Sequence, residues 1–127
     1  MGIAIVDKHT IGHFGCGSLG YYILYNQNVS ISKNFYIANG LHLLMELLEH
    51  NKDPMGRVLE SNINHLTDII AFLIGWILAY LFKIEKYIPQ TFYPVICIFM
   101  IYTVTLETVR ELYPNNTGIF NGCYKDS

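Results

Sequence analysis

After Glu60, the stretch Glu60-Ser-Asn-Ile-Asn-His-Leu-Thr-Asp-Ile-Ile-Ala-Phe-Leu-Ile-Gly75 continues to Phe82 with Asp68 as its only charge. At 1.5 Å per residue, the twenty residues from Asn64 to Lys83 make about 30 Å of helix, enough to cross a bilayer's hydrocarbon core. Ser61, Asn64, Asp68, Ala71 or Phe72, Gly75 and Ala79 recur at three- and four-residue steps, so they share one side. That side is polar where it begins and small further on, with Ile, Leu, Phe and Trp on the other. In a membrane the small residues admit a close neighbour and the polar ones hydrogen-bond to it. A carboxylate within such a segment is costly, which makes Asp68 a candidate site residue.

The distribution of charge extends this reading to the whole chain. Only 14% of its 127 residues are charged, against about 25% in ordinary soluble domains. A second run, Tyr87 to Leu106, carries no charge at all. Two such runs predict membrane spans. The length fits one integral membrane domain over 1–127, without a separate catalytic module. With a net charge of -2 and no basic run, no nucleic-acid partner is expected. Cys16, Cys97 and Cys123 follow no zinc or redox spacing and read as buried small hydrophobes. The N-terminal residues lack a cleavable-signal pattern, and Asp7 stands where myristoylation needs Ser or Thr, so insertion is expected to rely on the spans.

Taken in order, the chain predicts an all-α, four-helix transmembrane bundle with both termini on one side. The helices cover about 9–25, 34–50, 61–82 and 92–113, followed by a polar tail at 114–127. The first is rich in glycine (Gly12, Gly15, Gly17, Gly20), a composition suited to close helix contact, and ends in Tyr21, Tyr22 and Tyr25, expected as an interfacial aromatic belt. The second places Asn39, His42, Glu46 and Glu49 or His50 on one face, so it spans only if partners bury that face. Asn51-Lys-Asp-Pro-Met-Gly stops it. Five basic residues on the termini side against three on the other favour cytoplasmic termini.

Alternating helix direction brings the start of the first and third helices beside the end of the second and fourth. His9, His13, Glu46, Glu49, His50, Asn64, Asp68, Glu107 and Arg110 all fall at those places. A polar pocket open toward the termini explains the coincidence. Its expected ligand-binding residues are His13, Glu46, Glu49, Asn64, Asp68, Glu107 and Arg110. Three chemistries fit them. His13, Glu46, Glu49 and Asp68 suit a divalent metal; Arg110 with a histidine suits a lipid phosphate; a histidine beside Asp68 or Glu46 suits acid–base work. His42, alone in mid-helix, reads as an interhelical histidine. No His-Glu-x-x-His, nucleophile elbow or phosphate-cradling glycine loop is present, so no catalytic residue is assigned.

Glu60-Ser61-x-x-Asn64-x-x-x-Asp68-x-x-Ala71-x-x-x-Gly75 resembles the third-helix signature of a family of small, uncharacterised bacterial multi-pass membrane proteins, similar in layout to VanZ-like proteins. Ile11-Gly-His13 is similar to its first-helix Ile-Ile-His, and Glu46-Leu-Leu-Glu49-His50-Asn51 to its Trp-Glu-x-x-Glu-Asn. Met45, His50 and His65 depart from the pattern, replacing Trp, Asn and Ser. The resemblance implies a four-helix membrane protein with a polar cluster at His13, Glu46, Glu49, Asn64 and Asp68, and no established reaction. The expected function is thus a multi-pass membrane protein in the lipid bilayer, whose interfacial pocket takes a lipid-linked or phosphate-bearing ligand or a divalent metal. The alternative is a structural or assembly protein whose polar residues only lock its helices.

Overall fold

The computed structural model describes residues 8–48 and 62–112, with side chains over 9–48 and 62–106. Every element among them is helical: α1 (Lys8–Asn26), α2 (Ile31–Leu48), α3 (Asn62–Phe82) and α4 (Tyr93–Leu112), with 3-10 turns at Ile84–Lys86 and Gln90–Phe92 joining the last two. The all-α expectation and the four-helix order therefore hold. α2 begins three residues before the predicted Asn34, because the Ser30 carbonyl already accepts the Asn34 N–H at 2.8 Å. The predicted ends of the second and fourth helices (50, 113) and the start of the third (61) lie outside the described residues. α1 ends where Asn28 turns left-handed at φ 57°. The Asn28 N–H then bonds Tyr25 O and the Val29 N–H bonds Leu24 O, a closure that satisfies the last carbonyls.

α1 and α3 run parallel and are the closest pair: Thr10 meets Asp68, Ser18 meets Gly75 and Tyr21 meets Trp76. α2 runs back between them, with Asn34 at the Tyr21–Trp76 level and Glu46 at the His13 level. α4 also runs back, from Tyr93 beside Tyr22 and Gln27 to Thr103 near His13.

Two glycines set the α1–α3 distance. A Cβ on Gly17 would lie 2.0 Å from Phe72 O, and one on Gly75 would lie 2.0 Å from Phe14 O. Backbone therefore rests on backbone, as the small-residue face of α3 predicts. Ser18 Oγ adds a 2.9 Å bond to Gly75 O. The remaining glycines of the stripe do less. Gly12 and Gly15 face open space and Gly20 makes only ordinary contacts. Gly12→Ala and Gly15→Ala should therefore raise the thermal midpoint, each by about 0.4–1 kcal/mol of stability, since alanine costs less helix entropy than glycine. A midpoint lowered in both would contradict this packing.

The half of the bundle away from the polar cluster is held by aromatic rings around one asparagine. Asn34, 0% exposed, donates from Nδ2 to Tyr21 O (3.0 Å) and accepts from Trp76 Nε1 (2.9 Å), so one side chain joins three helices. Tyr21 and Phe35 pack edge-on against Trp76. This corrects two expectations. Trp76 lies inside because its N–H needs the Asn34 oxygen, and Tyr21 and Tyr22 are 1% exposed rather than lipid-facing belt residues. Only Tyr25 of the three is exposed. The Tyr22 hydroxyl has no hydrogen-bond partner among the described residues. Tyr22→Phe should consequently leave stability unchanged or raise it, and a loss above about 1 kcal/mol in a melt would reveal a partner. Cys16 and Cys97 are half-buried rather than fully buried and form no disulfide among the described residues; Cys123 lies outside them.

Around its aromatic core, the burial pattern is partly inverted relative to water-soluble folds. Thr10, Asn34, His42, Glu46, Asn64 and Asp68 are buried, whereas Leu41, Leu47, Ile70, Ile74, Ile98 and Ile101 are exposed. Buried polar groups and broad exposed apolar faces are the informative departures from ordinary globular surfaces. Among the described residues, α3 is the one helix long and apolar enough to cross a membrane, and Gln90–Leu106 is apolar but shorter. α1 and α2 have the length and not the composition, because they carry the polar residues turned inward.

Candidate functional site

Helical periodicity delivers the site residues in pairs one turn apart. α1 supplies Thr10 and His13, α2 supplies His42 and Glu46, and α3 supplies Asn64, His65 and Asp68. On α2 the buried positions are Asn34, Ala38, His42 and Glu46, an unbroken four-residue stripe, so the polar face of this helix is covered by α1 and α3.

Glu46 is the hub. Its Oε1 lies 3.7 Å from His13 Nδ1 and 3.5 Å from His42 Nε2, and its Oε2 lies 2.8 Å from His65 Nδ1. Asp68 forms the second centre: Thr10 Oγ1 donates to its Oδ1 at 2.6 Å, and His13 Nε2 stands 3.5 Å from its Oδ2. His13 thus bridges the two carboxylates. The His42 ring also lies against the Asp68 backbone. His42 Nε2 makes no hydrogen bond among the described residues. The same ring stacks on Phe72 at 4.1 Å and tilts against His13 at 4.9 Å, which fixes its plane. Asn64, one turn before Asp68, is 0% exposed.

Of the expected site residues, His13, Glu46 and Asp68 come together, with Asn64 buried beside them. Glu49 lies outside the described residues. Glu107 and Arg110 belong to α4, whose C-terminal end lies at the cluster's end of the bundle, but their side chains are not among those described. Sequence reasoning passed over His42, His65 and Thr10 as site members. The signal for two of them was spacing: His42 precedes Glu46 by four residues and Thr10 precedes His13 by three, each on a shared face.

A cavity of about 260 Å³ opens beside the cluster, between α1, α2, α4 and Phe72. His13 and His42 stand in its wall, and Cys16, Leu24, Ala38, Leu41 and Met100 are among the apolar residues that make up most of the rest. The site is therefore amphipathic, with imidazoles joined to carboxylates at one place and hydrocarbon around it. No family model, curated protein or solved structure matches the chain.

Proposed function

We propose that the chain is a multi-pass integral membrane protein whose helices bind an amphipathic, lipid-like ligand. The tail would occupy the cavity and the polar head would meet His13 and His42 at the carboxylate cluster. The observation that carries this reading is the juxtaposition itself, a cavity with mainly apolar walls and two imidazoles in them. Its 260 Å³ lies just below the usual range for small-molecule sites, room for part of a hydrocarbon chain rather than a whole lipid. The resemblance of Glu60 to Gly75 to membrane proteins of VanZ-like layout agrees with this proposal and supplies no reaction, so none is assigned.

Membrane embedding is supported by the inverted burial pattern. Only 28% of the apolar window of α3 is buried, unlike the core helix of a soluble protein. The polar residues of α1 and α2 face α3, so these two helices would cross as part of the bundle. Polar groups in lipid must find internal partners, and Thr10, Asn34 and Glu46 have them.

The structural reading is favoured at one place, Asn34, where both ends of the fully buried amide have helix partners. The cluster differs, because the buried His42 Nε2 makes no hydrogen bond among the described residues. Native mass spectrometry of the detergent-purified chain decides between them. A lipid-sized adduct on the wild type, lost in Met100→Trp with helical content retained, is expected. An absent adduct, or one indifferent to filling the cavity from α4, would favour the structural protein.

A further inference from the structure

We infer that His13 Nδ1, His42 Nε2 and Glu46 Oε1 form three ligands of a divalent metal of the zinc class, with a fourth position open. The argument is geometric. Zinc–nitrogen and zinc–oxygen bonds of about 2.0–2.1 Å at tetrahedral angles place ligand atoms about 3.3–3.4 Å apart. Glu46 Oε1 lies 3.5 Å from His42 Nε2 and 3.7 Å from His13 Nδ1, close to that edge on both sides. Ligand atoms of all three residues lie within 4.8 Å of one another, so binding needs only the imidazoles drawn together.

The second observation is His42 itself. Its side chain is 7% exposed, and its Nε2 makes no hydrogen bond among the described residues although a carboxylate oxygen is 3.5 Å away. A buried nitrogen held at that distance, with its ring fixed by Phe72, has the placement of a metal ligand.

The surroundings complete the pattern. Metal-bound histidines pass their other N–H to a carboxylate or carbonyl, which sets tautomer and basicity. Here both rings face one residue: His13 Nε2 stands 3.5 Å from Asp68 Oδ2, and the His42 ring lies against the Asp68 backbone. Thr10 in turn fixes the carboxylate through Oδ1. The second oxygen of Glu46 is held by His65 at 2.8 Å. The negative charges of Glu46 and Asp68 equal a dication's charge in sum. Two nitrogens and one oxygen select a borderline metal over magnesium or calcium, which prefer all-oxygen sites. Asp68, expected from sequence as a ligand, becomes the positioning residue, and His42 takes its place.

The inference concerns the same two imidazoles that the lipid reading gives to a head group, and its test uses the metal alone. Delipidated full-length protein in detergent is titrated with zinc by calorimetry, then with cobalt(II) as a spectroscopic substitute. One equivalent should bind, and cobalt should show the intense visible bands of a tetrahedral site without a thiolate band. His42→Gln and Glu46→Gln should each weaken zinc at least 100-fold. Asp68→Asn and His65→Gln should weaken it about 10- to 100-fold, as losses of outer partners do. Failure of the wild type to bind one equivalent overturns the site, as does a thiolate band pointing to the cysteines. So does unchanged affinity in a folded His42→Gln. Any of these leaves a lipid adduct as strong as before, and an absent adduct leaves the metal site intact.

Discussion

Gly75→Ala lowers the stability of the bundle by about 3 kcal/mol, at the upper end of the range for overpacking a close-packed contact. The added methyl carbon would lie 2.0 Å from Phe14 O and 2.9 Å from the carbonyl carbon, and both are backbone atoms that no rotamer change can move. α1 must therefore retreat from α3. Retreat also stretches the 2.9 Å bond from Ser18 Oγ to Gly75 O. Gly17→Ala meets Phe72 O in the reciprocal way and should behave alike. Thermal unfolding in detergent, followed by circular dichroism, measures the effect, with Gly12→Ala as the control that changes the same helix in open space. Equal midpoints for Gly75→Ala and the wild type would mean that α1 and α3 are not in backbone contact.

Asp68→Ala is the second large effect, a loss of about 3–5 kcal/mol, the usual cost of breaking a buried charged pair from one side. The carboxylate accepts from Thr10, faces His13 and is 0% exposed, so its removal strands polar groups where no water is available to replace it. Asp68→Asn behaves differently. Its carbonyl oxygen still accepts from Thr10 and the volume is unchanged, so the fold persists with a loss near 1 kcal/mol, the scale of interhelical hydrogen bonds in membranes. The same pair of variants separates glue from site. If the cluster only locks helices, Asp68→Asn costs that stability and nothing else; if it binds metal, affinity falls about 10- to 100-fold while the melt barely moves. An Asp68→Ala protein as stable as the wild type would contradict the burial described for this residue.

The inward face of α3 was legible because a single period recorded it. Asn64, Asp68, Ala71, Gly75 and Ala79 are buried, as their three- and four-residue spacing demands. Trp76 was not legible, since periodicity cannot tell which large apolar residue turns inward. Its inward turn depends on Asn34, forty-two positions away on another helix. Tyr21 was misread for a related reason: an aromatic residue near a helix end suits either a lipid interface or a core, and only its edge-on contact with Trp76 decides. In the site, His13 and Asp68 could be paired from helix direction alone. His42 lay on the correct face but looked solitary, because its neighbours His13 and Phe72 come from other helices. The low hydropathy of α1 and α2 has the same physical origin, in that residues hidden inside a bundle count as polar in a linear sum.

Alkaline carbonate extraction of membranes from cells expressing the full chain tests the central claim most directly, because it separates a bilayer-embedded bundle from a soluble assembly covering the same apolar faces. The exposed faces of α2, α3 and α4 predict that the chain stays in the membrane pellet and leaves it only with detergent. Release into the carbonate supernatant would contradict membrane embedding, and with it the lipid-like ligand proposed for the cavity.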